Sequence, residues 1–184
     1  MTSKYRITDC LSTAILLTGL AGVAVADQPD PFGQFNDRCL GRGPDFQRTV
    51  TVAKDRDWPA LATDMATSLA PVENPVALEG WNLTAEGNGS FEVLVVARAS
   101  VGDSKVESCT MAFAEIDAVA FERRLVDETR AKASGAKNGQ GRIRKFFEAS
   151  SSERREAITL DLPLYPNGND EVIVSVVSEQ QIEN

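Results

Sequence analysis

Apolar positions recur every three or four residues up to about Pro75, and every second residue from about Gly80 onward. The first period is that of a helix with one buried face, the second that of a strand. Residues 27–75 therefore read as a helical segment. Phe32, Phe35 and Cys39 share a face behind Asp30-Pro31, an acidic cap followed by a proline suited to the first helical turn. Gly41 and Gly43-Pro44 end that element. Asp45 caps a second helix, with Phe46, Val50 and Ala53 on one face. The β-branched core of that stretch, residues 49–52, leaves a strand as the alternative. A third short helix follows Asp57 and Trp58-Pro59, with Leu61, Met65 and Leu69 on its apolar side.

Residues 80–114 read as a three-strand meander. Trp81, Leu83 and Ala85 alternate with polar neighbours, and Gly87-Asn88-Gly89 makes a turn. Residues 91–97 are apolar at nearly every position except Glu92, the pattern of a strand covered on both faces. Gly102-Asp103 turns the chain again, and Cys109, Met111 and Phe113 then alternate with polar residues. Residues 117–134 predict a helix with Asp117 as its cap, Phe121 and Leu125 as its buried stripe and Gly135 just past its end. Residues 134–141 read as a flexible, glycine-rich polar loop. Residues 142–178 supply the last strands, at 142–149, 157–162 and 171–177. The expected fold is α+β: a single antiparallel sheet of about five to six strands, covered by the N-terminal helical segment and one central helix.

The first 26 residues add a location. Lys4 and Arg6 precede an apolar run from Leu11 to Ala26 that ends in Ala24-Val25-Ala26, a small-x-small cleavage pattern. The run is shorter than the ~20 residues a spanning helix requires. A signal peptide at 1–26 and a single globular domain at 27–184 follow, with a periplasmic or secreted product and no stable membrane insertion after cleavage. Cleavage removes Cys10 and leaves Cys39 and Cys109, a candidate disulfide between the first helix and the third strand. Closing that loop stabilises a fold by about 4 kcal/mol in the chain-entropy model. In that compartment Asn82-Leu83-Thr84 and Asn88-Gly89-Ser90, which match the glycosylation pattern, read as a strand and a turn.

Charge narrows the partners. The chain has 19 basic and 27 acidic residues, a net −8, which argues against nucleic acid as a partner. The imbalance is uneven: ten basic residues and four acids lie between Arg123 and Arg155. That basic stretch either balances the acidic remainder internally or forms a surface for an anionic ligand or an acidic envelope protein. Arg123, Arg124, Arg142, Arg144 and Lys145 are the candidate surface residues.

Candidate chemistry is mostly excluded. There is no histidine, which removes Ser-His-Asp and Cys-His catalysis and the imidazole zinc sites. No phosphate-binding loop, dinucleotide fingerprint or paired-cysteine redox motif occurs. No cofactor, metal site or catalytic residue is therefore assigned. The expected function is that of an exported binding or interaction protein of the bacterial envelope. The alternative is a histidine-free hydrolase that uses carboxylates on an envelope polymer, with Asp55 and Asp57, or Asp161 with Asp170 and Glu171, as the acids close in sequence.

Overall fold

The computed structural model describes residues 30–86, 90–102, 104–150 and 154–179; the expected leader, the Gly87–Gly89 turn and Asp103 lie outside these. The described residues form four α-helices and one seven-stranded sheet. The class is α+β with a single antiparallel sheet, as the alternation predicts, but with seven strands in place of five or six.

The first helix, α1 (Pro31–Phe35), runs directly into a π-helical turn at Asn36–Leu40. The Gly41 amide donates to the Asn36 carbonyl, five residues back, at 2.7 Å. Asp30 holds the cap position, but its side chain makes no cap hydrogen bond; its carboxylate is paired with Arg124 instead. The ambiguous segment after Pro44 is helix α2 (Phe46–Asp55), and the Asp45 side chain accepts from the Arg48 amide at 2.8 Å. Helix α3 (Thr63–Leu69) buries Ala66, whereas Met65 is exposed. The Leu61, Met65, Leu69 repeat is therefore not its buried face. Asp57, ahead of it, sits in left-handed backbone at φ 51.

Strands β1 (Ala77–Asn82), β2 (Glu92–Val101) and β3 (Ser104–Ile116) form the expected meander. Helix α4 (Ala118–Thr129) then carries the chain from β3 to the far edge of the sheet. Strands β4 (Lys132–Gly139), β5 (Arg142–Ser150), β6 (Arg155–Pro163) and β7 (Asp170–Glu179) walk back by antiparallel pairing, and β7 closes on β3. The spatial order is β1-β2-β3-β7-β6-β5-β4.

Strand β4 is the element that the polar pattern of residues 134–141 conceals. All eight of its residues are exposed, and among the described residues it has one strand neighbour. An edge strand is held by backbone pairing on one side and needs no apolar side chains. Gly135 consequently lies inside β4. Helix α4 ends earlier, where Arg130 turns left-handed at φ 55 and its amide bonds the Val126 carbonyl at 3.0 Å.

One face of the sheet carries the main core. Leu94, Val96, Cys109, Met111, Val174, Val176, Ile158 and Leu160 meet Phe32, Phe35, Val50, Phe121 and Leu125 from the helices. Phe121 gathers three rings, with Phe32 and Phe113 at 5.9 Å and Phe35 at 6.4 Å. Rings at such spacings add about 1 kcal/mol per pair beyond burial. The central strands are buried on both faces, as residues 91–97 predict, and Glu92 is buried with them. Helix α3 lies against the second face. A Cβ placed on Gly80 would stand 3.2 Å from both the Ala66 Cβ and the Val95 Cγ2, so glycine is what lets the helix approach β1.

Cys39, from the π-helical turn, and Cys109, on β3, meet at disulfide distance with Cα atoms 5.4 Å apart. Both are fully buried, and 5.4 Å lies in the ordinary range for a bridged pair. Among the described residues, no helix is long and apolar enough to cross a membrane.

Candidate functional site

The basic residues marked by sequence do not converge on one surface. In β5, alternation puts Arg142 and Arg144 on one face and Lys145 on the other. Arg142 and Arg144 both hold the Asp161 carboxylate, Arg144 Nη2 at 2.9 Å, and Arg142 Nη1 is 3.5 Å from Glu171. Lys145 Nζ donates to Glu122 of α4 at 2.6 and 2.7 Å. Arg124 pairs with Asp30 and, at 2.6 Å, with Glu128. Arg123 is exposed and makes no recorded ion pair among the described residues. Four of the five candidates are thus neutralised within the fold, and the geometry fits internal charge balance.

A different set of arginines does converge. A cavity of about 360 Å³ opens between the π-helical turn and α2, with Leu94 and Val52 in its floor. Arg38 and Arg42 reach it from the π-helical turn and the loop after it, Arg48 and Arg56 from α2 and its end, and Trp58 closes one side. In a π-helical turn the backbone bonds five residues back, and here Cys39 points into the core while the adjacent Arg38 faces the cavity. π-Helical turns occur disproportionately at functional sites.

The arginine side chains are held to different degrees. Arg38 is anchored: its guanidinium bonds Glu92 and, at 3.2 Å, Glu86, and it stands 5.4 Å from the centre of the Trp58 ring. The Trp58 indole N–H donates to Glu86 at 2.7 Å, which fixes the ring. Arg48 donates to the Gly43 carbonyl at 2.6 Å. Arg56 is mostly exposed, touches Glu86 only at 3.6 Å and lies 6.0 Å from the Trp58 ring. Arg42 is exposed and has no recorded ion pair among the described residues. The cavity therefore has a rigid wall, Arg38 with Trp58, and a rim in which the cations Arg42 and Arg56 are joined by one acid, Asp37.

A second cavity, of about 320 Å³, shares Gln34 with the first and is lined by the acids Glu92, Glu115 and Asp117. Burial pushes the Glu92 carboxyl up, and the Arg38 charge opposes this without reversing it. Asp117 is engaged as the α4 cap, accepting from the Val119 and Ala120 amides at 2.9 Å. Glu115 sits in left-handed backbone, φ 62, where β3 bulges between Phe113 and Ile116. The acids singled out in sequence are elsewhere. Asp55 and Asp57 are exposed, Asp161 serves the β5 arginines, and Asp170 caps α4. Among the described residues no cluster of acids or cysteines is placed to hold a metal ion.

The arginine cavity was invisible to a search along the chain because its residues are scattered singly between positions 38 and 58. The signal available was their spacing against the apolar face: Arg38 precedes Cys39, and Arg48 and Arg56 flank the Val50–Ala53 stripe. Comparison of the chain with protein-family models, with curated proteins and with solved structures returned no match.

Proposed function

We propose that this is an exported, non-enzymatic binding protein whose ligand carries an anionic group, taken up in the arginine cavity. The carrying observation is the convergence of Arg38, Arg42, Arg48 and Arg56 beside Trp58 on one opening of about 360 Å³. That volume falls at the small end of ligand pockets. Planar guanidinium groups bind carboxylate, sulfate or phosphate oxygens in pairs. The fixed Arg38–Trp58 wall would order the ligand, and Arg42 and Arg56 would close on its charge. Export, with residues 1–26 as a signal peptide, is part of the same reading; the buried Cys39–Cys109 pair supports it.

The test is a titration of the mature protein with phosphate, sulfate and citrate, followed by the Trp58 indole N–H resonance. At least one anion is expected to shift it saturably. The double change Arg42→Ser and Arg56→Ser, at two exposed rim positions, is expected to weaken that anion tenfold or more. No saturable shift with any of the three, or equal binding by the double variant, rejects the cavity as an anion site.

Hydrolysis by carboxylates stands second, and Glu92 is the observation in its favour: a buried acid, raised in pKa, on the wall of an acid-lined cleft. Against it, the Arg38 ion pair occupies Glu92 and helix capping occupies Asp117.

A further inference from the structure

The two edges of the sheet are treated differently. The β1 edge is covered by the chain itself: the Leu61 amide donates to the Gly80 carbonyl at 2.8 Å, the Asn82 amide donates to the Pro59 carbonyl at 2.9 Å, and Ala60 bridges Trp81. The β4 edge has no such cover among the described residues; the sheet ends there and every β4 residue is exposed. An uncovered edge presents unpaired backbone N–H and C=O groups and is a template for another strand.

We propose that the β4 edge docks an extended acidic segment of a partner protein, which adds as an eighth strand. Charge selects that occupant. Strand β4 contains Lys132 and Lys137 and no acid. Two copies pairing β4 to β4 would bring four lysines together, with Glu148 of β5 in register only beside Lys132 and no β5 acid beside Lys137, so self-association is opposed. An acidic strand is attracted by the same two lysines.

The register adds a pattern. Lys137, Arg144 and Asp161 lie in one row across β4, β5 and β6. Asp161 is already shared between Arg144 and Arg142, and Lys137 is exposed at the outer end of the row. Two residues away on the same face, Gly135 stands opposite Phe146, and a Cβ on Gly135 would lie 3.7 Å from that ring. Phe146 is one of the exposed large apolar side chains. An incoming strand with an apolar residue opposite Gly135 and an acid two positions on would cover the Phe146 ring and neutralise Lys137 together. This surface shares no residue with the arginine cavity.

The probe is the eight-residue peptide Thr-Val-Thr-Glu-Thr-Val-Thr-Glu, fluorescein-labelled, against its twin with Lys for Glu, measured by fluorescence anisotropy at low ionic strength. The Glu peptide is expected to bind at least tenfold tighter than the Lys peptide. Changing Lys132→Glu and Lys137→Glu, both exposed, is expected to invert that order. Two further peptides carry N-methyl groups on alternate residues, one on each parity. Strand addition predicts that one parity abolishes binding and the other tolerates it. The idea fails if the Glu and Lys peptides bind alike, if the charge reversal changes nothing, or if both methylated peptides bind as the parent does. It also fails if Arg42→Ser with Arg56→Ser removes binding, since the peptide would then be held at the cavity.

Discussion

The Asp170 carboxylate accepts a hydrogen bond from the Ala118 amide at 3.2 Å, from 52 residues further along the chain. Asp117, the local cap, serves Val119 and Ala120, so the N-terminus of α4 is satisfied by two acids, one of them at the start of β7. Asp170 also accepts from the Asn167 and Gly168 amides, at 3.0 and 3.3 Å, and so shapes the turn into its own strand. Replacing it by Ala strands the buried Ala118 donor. The Asp170→Ala variant is expected to lose about 2 kcal/mol, read as a fall of roughly 6 °C in melting temperature. Asp117→Ala, at an exposed cap, is expected to cost about half of that.

Bridging of Cys39 and Cys109 is expected in oxidised mature protein. Its mass should be two hydrogen atoms below that of the reduced chain. Reduction, or the double change Cys39→Ala and Cys109→Ala, is expected to cost about 4 kcal/mol and roughly 10 °C in melting temperature. Two freely alkylated thiols in native material would remove the bond.

Stability should depend on pH in two limbs of opposite sign. Burial holds the Glu156 carboxyl above its ordinary value of 4.5, with Arg154 opposing, and Glu92 is raised in the same way. A raised acid binds more protons folded than unfolded, so stability falls as pH rises from 4.5 through the folded pKa. The contribution is therefore fully present below pH 4.5 and is lost as pH rises through the folded pKa. Asp170 behaves oppositely. Burial pushes its carboxyl up, but the three backbone donors outweigh burial and hold it below 3.8. Its contribution is present above 3.8 and is lost as pH falls through the folded value. Melts between pH 3 and 8 should show both limbs, and Glu156→Gln should reduce the slope of the upper one, Glu92 keeping the remainder, while leaving the acid limb in place.

Arg130 ends α4 in left-handed backbone, φ 55, where a Cβ is strained by about 1 kcal/mol or more. Glycine removes that strain and loses some in chain entropy. Arg130→Gly is expected to raise stability by about 0.5 kcal/mol in urea denaturation with an unchanged m-value. A lower midpoint would show that the arginine side chain contributes more than its backbone costs.

How much was legible depended on whether burial or pairing held an element. Phe32, Phe35 and Cys39, or Cys109, Met111 and Phe113, show their period because one face is buried. Strand β4 has no buried residue, so no period marks it, and Lys, Gly, Ser and Asn read as loop. Helix α3 buries only Ala66, against a glycine, so its larger apolar residues pointed to the wrong face. At the site, clustering along the chain favoured residues 142–145, but a strand sends neighbours to opposite faces, and each found an acid there. The arginines that do meet come from two helical elements, and only the packing of the π-helical turn on α2 brings them together.

The strand order has a consequence for how the molecule comes into being. A chain made or threaded from its N-terminus delivers β1, β2 and β3, then β4, β5 and β6, as two separate ladders joined only through α4. The strand between them, β7, is the last of these seven to emerge. Until it is seated, β3 and β6 are both open edges in the middle of the future sheet, each able to pair wrongly. The long-range β3–β7 contacts also make closure the slow step. The ten residues of β7 are thus the keystone of the assembly. A stop before Asp170 would leave two unfastened halves, with nothing to merge their ladders.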